Sequence, residues 1–122
     1  MNHKLFVYGT LKQQGSRNGW LIQEGGVFVQ NLQLTIPFTL INLGMIPALV
    51  AADEINTIHG ELYHISTSLI PNIDYIEGHP KFYQRQFIQN DIEAYILPLY
   101  YLKAFDVKSI AQLKILSGNW TN

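Results

Sequence analysis

The chain has 122 residues, 48% of them apolar and 14% charged, with a formal net charge of −1. That length suffices for one core, so the expectation is a single domain over residues 1–122, with no room for a separate cofactor domain. The charge balance lacks the basic surplus that phosphate backbones require, which argues against nucleic acid. The absence of cysteine rules out disulfides, thiolate metal sites and a cysteine nucleophile.

A cysteine-free chain is compatible with a reducing compartment, and a cytoplasmic location is the default expectation. The runs "GMIPALVAA" and "AYILPLYYL" fall far short of the roughly 20 apolar residues of a spanning helix, so neither a signal peptide nor a membrane anchor is expected. No motif sets an oligomeric state.

In chain order, Lys4–Tyr8 reads as a first strand, which breaks at "YGTLK" into a polar loop. Turn chemistry alone would explain the break, with Gly9 free to take a positive φ. A short helix is expected from about Asn18. Strands are then expected at Gly26–Thr35, Phe38–Leu43 and Thr57–Ile65, rich in Val, Ile, Tyr and Phe. In "STSLIPNIDYIEGHP" the residues Leu69, Ile70, Ile73 and Ile76 share one helical face. Ser66 or Thr67 is available as N-cap, Pro71 lies in the first turn, and Gly78 and Pro80 stop the helix. Further strands are expected at Phe82–Gln89 and Ile92–Lys103, with Pro98 marking an edge or a bulge that splits the second run. A last helix over Ser109–Ser117 would end at Gly118. The fold class is α+β: a small mixed barrel of about six strands with two or three short helices, closed or curled to hide its edges.

Two features could carry chemistry. Successive backbone N–H groups after Gly9 can form an anion site without a charged side chain. This is not a nucleotide phosphate loop, because Ser16 and Arg17 stand where that motif has Lys and then Ser or Thr. Glu77 ends its helix, where unpaired carbonyls disfavour another negative charge; partial burial there would push its pKa upward, as suits a base acting on an amine. The alternatives are a solvated acid or a partner of Arg85. His59 and Glu61 share a strand face at a spacing that could hold a metal, but no third ligand is signposted. The tyrosines at 63, 83, 95, 100 and 101 read as core and sheet residues, and no "G-x-S-x-G" turn presents a serine.

Together and in this order, "FVYGTLKQQGSRNGWL", "HGELYHI", "IDYIEGHPKFYQRQ" and "SGNW" give the chain a specific likeness. It resembles the γ-glutamylcyclotransferase-like superfamily, in particular its small γ-glutamylamine cyclotransferase branch. The resemblance implies a small β-barrel with a few helices and no metal or organic cofactor. It implies a small γ-glutamyl substrate converted to 5-oxoproline and a free amine. Carried over by position, the substrate-holding loop falls on Tyr8, Gly9, Thr10 and Leu11, and the catalytic acid on Glu77. Tyr83 and Arg85 match supporting positions. A protein that keeps the pocket only to bind a metabolite, and a related enzyme that removes a γ-glutamyl acyl group, are the alternatives the same resemblance leaves.

Overall fold

The computed structural model describes residues 2–104 and 110–121. Strand β1 (Asn2–Val7) leads through a loop to helix α1 (Asn18–Gln23). A long hairpin comes next, β2 (Val27–Asn42) and β3 (Pro47–Ser66). A 3-10 turn (Thr67–Leu69) enters α2 (Ile70–Glu77), and β4 (Gln84–Gln89) and β5 (Ile92–Ile96) form a second hairpin. Two short helices, α3 (Tyr100–Ala104) and α4 (Ile110–Leu113), complete the order.

The five strands form one mixed sheet in the order β2-β3-β1-β5-β4. Only β1 and β5 run parallel; the other neighbours are antiparallel. The sheet is open, which corrects the expected barrel. Its edge strands are too unequal to close on each other, 16 residues in β2 against 6 in β4. Other devices protect the edges. Ile115 N–H donates to Leu40 O at 2.8 Å, and Lys114 bridges Ile41, so the C-terminal segment covers part of β2. Strand β4 is short and rich in glutamine, with a register shift between Phe87 and Gln89, features that discourage further pairing.

Two expected strands, Gly26–Thr35 and Phe38–Leu43, are one. Pro37 lies at a register shift between Ile36 and Phe38, where an edge strand tolerates the missing N–H without ending. Strand β3 starts at Pro47, ten residues before the expected Thr57, because its weakly strand-like stretch is held by pairing to β2. The run Ile92–Lys103 divides at Pro98. That residue lies beyond β5, not at an edge or bulge; its carbonyl accepts Tyr101 N–H at 3.0 Å, and the chain beyond it turns helical. Helix α2 and the start of α1 fall where expected, whereas α4 stops at Leu113, well short of Ser117. The expected starting residue Ser109 lies outside the described residues. Gly118 nonetheless has φ 68°, in a turn whose carbonyl accepts His59 N–H at 2.8 Å.

Alternation along the strands sorts the apolar residues into two buried clusters. Leu5, Val7, Tyr63 and Ile65 pack with Leu21 of α1 and Ile70 and Ile73 of α2. Phe6, Tyr8, Ala94 and Ile96 pack with Leu40, Leu49 and Trp120. Leu97 N–H donates to Leu49 O at 2.9 Å, tying the end of β5 to the hairpin. The ends of β1 and β5, the start of β3 and the end of α2 thus converge. No helix among the described residues is long and apolar enough to cross a membrane.

Candidate functional site

After Val7 the chain leaves the sheet in successive turns. Lys12 N–H donates to Gly9 O at 3.0 Å, Gly15 N–H to Lys12 O at 2.7 Å, and Arg17 N–H to Thr10 O at 2.9 Å. Among the described residues, no acceptor takes the backbone N–H of Thr10 or Leu11. Gly9 does not use the positive φ that turn chemistry allowed it; the left-handed glycines are 25, 44, 78 and 118. Its constraint is close approach, because a Cβ on Gly9 would stand 2.7 Å from Cγ of Pro47.

Facing this loop, α2 ends in a left-handed Gly78, with His79 N–H donating to Asp74 O at 2.9 Å and Gly78 N–H to Tyr75 O at 3.2 Å. That closure fixes Glu77 as the last helical residue, its side chain only 9% exposed. Burial pushes the Glu77 carboxyl up to about 7, against the opposing pull of Arg17. The Arg17 guanidinium is half-exposed, with Nη1 3.8 Å from Glu77 Oε2. Glu77 and Arg17 share a cleft of about 130 Å³ with Gly9, Thr10 and Leu11, walled by Ile46, Pro47, Phe82 and Tyr83. At roughly 30 Å³ per water, the volume suits one small headgroup.

The tyrosine hydroxyls around the cleft are occupied. The Tyr8 hydroxyl donates to Tyr95 O at 2.6 Å and accepts Leu49 N–H at 3.2 Å; burial raises its pKa well above the ordinary phenol value. The Tyr83 hydroxyl donates to Pro47 O at 2.5 Å, and burial, reinforced by Glu77, raises its pKa too. Both tyrosines therefore line the cleft as braces, with their rings as wall. Tyr95, as expected of a core residue, is buried, and its hydroxyl donates to Asp74 Oδ1 at 2.6 Å. Arg85 is not part of the cleft wall. Its Nε lies 3.0 Å from Asp74 Oδ1 and its Nη1 2.5 Å from Glu93 Oε2, so it anchors α2 to β5 instead of pairing with Glu77. Burial raises the Asp74 carboxyl, but hydrogen bonds from Arg85 and Tyr95 more than offset that and hold it below the usual value. An acid so engaged is a poor base. Glu77 is the one carboxylate in the cleft wall among the described residues.

The structure also adds residues that pattern reading does not single out. Asn18 Nδ2 donates to Leu11 O and to the Tyr63 hydroxyl, both at 2.8 Å. Tyr63 in turn donates to Glu61 Oε1 at 3.0 Å, and the same oxygen accepts Gln13 N–H at 2.9 Å. This relay through "HGELYHI" grips the loop at Leu11 and Gln13. Lys12 pins it from the far side, its Nζ donating to Trp120 O at 2.7 Å and Asn119 Oδ1 at 3.2 Å. Glu61 thereby spends an oxygen on the loop. Among the described residues no group of three or more His, Cys, Asp or Glu is placed to hold a metal ion. Arg17 and Pro47 reach the cleft by tertiary packing, for which the sequence carries no local signal.

Fold and site together describe a sheet-borne pocket in which one buried carboxylate faces unengaged backbone donors. A sequence model of the family described as "Gamma-glutamyl cyclotransferase, AIG2-like" matches residues 5–122, and the chain belongs to that family. The family makes it a cyclotransferase-like enzyme. The Escherichia coli γ-glutamylcyclotransferase family protein YtfP is 27% identical over 96% of this chain and 95% of its own. A Vibrio cholerae protein provisionally named a γ-glutamylcyclotransferase is 32% identical over 73% of this chain and 74% of its own. The crystal structure of a mouse AIG2-like protein superposes with a TM-score of 0.80, covering 98% of this chain and 88% of the mouse chain at 20% identity, a likeness of fold.

Proposed function

We propose that the chain cyclises γ-glutamyl amines to 5-oxoproline and a free amine, with Glu77 as general acid and base. One observation carries the reading: Glu77, buried and shifted to about 7, lies in the same small cleft as the loop Gly9–Leu11. A γ-glutamyl group brings its own nucleophile, the α-amine, so folding the substrate until that nitrogen meets the γ-carbonyl carbon is much of the catalysis. Glu77 takes a proton from the nitrogen as the new C–N bond forms. The N–H groups of Thr10 and Leu11 receive the developing oxyanion, being oriented before the reaction starts. The bond to the leaving amine then breaks, and Glu77 returns the proton to that amine. No water is consumed. Arg17 at the cleft's edge supplies positive charge for the substrate α-carboxylate. Tyr8 and Tyr83 hold the walls, and Arg85 acts at a distance by fixing α2.

The test is product identity. Purified protein given a γ-glutamyl amine is expected to release 5-oxoproline and amine in equal amounts. The N-acetylated counterpart is expected to yield none, because its nitrogen can no longer attack. Early release of glutamate would mean hydrolysis by water, and binding without turnover a sensing role.

A further inference from the structure

Beyond the γ-glutamyl cleft lies a second, larger groove of about 680 Å³, lined by Leu43, Met45, Ile46, Phe82 and Leu113 together with Asn42 and Gly44. Ile46 and Phe82 line both cavities, so the two adjoin across these side chains. The hairpin turn builds one side. Asn42 Oδ1 accepts Gly44 N–H at 2.8 Å, Gly44 takes φ 108°, and Leu43 N–H donates to Ile46 O at 2.9 Å, presenting Met45 outward with 89% of its surface exposed. Phe82 forms the opposite wall, packed edge-to-face on Tyr83 at 4.7 Å and on Tyr101 at 5.3 Å between ring centroids. Among the described residues no charged side chain lines the groove, and the carbonyl oxygen of Asn42, the polar side chain among them, is already used in the turn.

Resting on the cyclotransferase reading above, we infer that this groove takes the amine half of the substrate and selects for uncharged alkyl or aryl amines. The γ-glutamyl headgroup fills the cleft at Glu77, and whatever is attached to its γ-carbonyl must leave through a neighbouring space. The adjoining space is apolar among the described residues. A methylene chain gains by leaving water there, whereas an ammonium or carboxylate would be desolvated without a counter-charge. Met45 suits a surface of this kind, since its flexible thioether adapts to chains of different shape.

The experiment compares kcat/KM, by 5-oxoproline release, for γ-glutamyl methylamide, γ-glutamyl n-pentylamide, ε-(γ-glutamyl)lysine and glutathione. The pentylamide is expected to exceed the methylamide by up to roughly 200-fold, about fourfold for each of its four extra methylenes, and to exceed both charged compounds. The exposed position of Met45 lets Met45→Glu fold normally, and this variant should cut the pentylamide's advantage at least tenfold, through KM more than kcat. Equal rates for the two amides, a preference for the lysine or glutathione compound, or an undiminished advantage in the variant would overturn the groove assignment while leaving cyclisation intact. Failure of all four compounds to give 5-oxoproline would overturn the cyclisation reading, and the groove assignment with it.

Discussion

Glu77 combines two circumstances that each disfavour its charge, a place at the end of a helix and near-complete burial. The second is the cause of its raised pKa, and an acid titrating near 7 can change protonation state within a catalytic cycle at neutral pH. Glu77→Gln keeps the shape and removes the proton acceptor, so 5-oxoproline formation should fall roughly 100-fold or more with the circular dichroism spectrum unchanged. Arg17 is the one neighbour that lowers the Glu77 pKa. In Arg17→Gln the acid limb of the kcat/KM profile should therefore move to higher pH, modestly because Arg17 is half-exposed; a shift to lower pH would count against Glu77 as the titrating group. The position of Glu77 is legible in the sequence because the apolar spacing, Gly78 and Pro80 fix where its helix ends. Arg17 is not, since only the turn Gly9–Arg17 brings it back across the cleft.

At the scale of elements, the site is a loop held between supports. Pro47 opens β3 and stands against Gly9, and the same proline's carbonyl receives the Tyr83 hydroxyl. Three segments distant in sequence thus meet at one ring. Gly9→Ala would force its Cβ to 2.7 Å from Pro47 Cγ, so the loop or the strand must shift. The expected result is a loss of about 1–3 kcal/mol in stability, the usual scale of overpacking, and a larger proportional loss in kcat, since a misplacement near 1 Å can cost about 100-fold. Thermal unfolding and steady-state kinetics on one preparation check both. Most strands are legible from β-branched and aromatic runs. The first half of β3 is not, because Ala51–Asn56 carries no strand signal and joins β2 only at its ends, Ala51 opposite Phe38 and Asn56 opposite Ile36, across the register shift. Helix α3 reads as strand in the sequence because Tyr and Leu favour both environments and only Pro98 separates it from β5.

For the whole molecule, an ion network fastens the helix that carries Glu77 to the sheet. Arg85 on β4 joins Asp74 of α2 to Glu93 of β5, and His3 of β1 lies 2.6 Å from the same glutamate. The guanidinium makes these contacts through Nε, Nη1 and Nη2, a fork that lysine cannot reproduce. Asp74 has a folded pKa below its ordinary 3.8, so its stabilising contribution is present above that value and is lost as pH falls through the lowered one. Glu77 has the opposite sign: with a folded pKa near 7 against an ordinary 4.5, its contribution is full below 4.5 and is lost as pH rises through 7. These two groups therefore both favour the folded state most near pH 4, while the proposed reaction needs Glu77 ionised at higher pH, a conflict common at active sites. Arg85→Lys separates the Asp74 part. At pH 6 the variant should be less stable than wild type by about 1–3 kcal/mol, the scale of charge-assisted hydrogen bonds. As pH falls below 3.8 and through the lowered Asp74 pKa the gap should narrow, read from denaturant titrations across that range. A gap that stays constant would mean that Arg85 holds α2 by packing and not by charge.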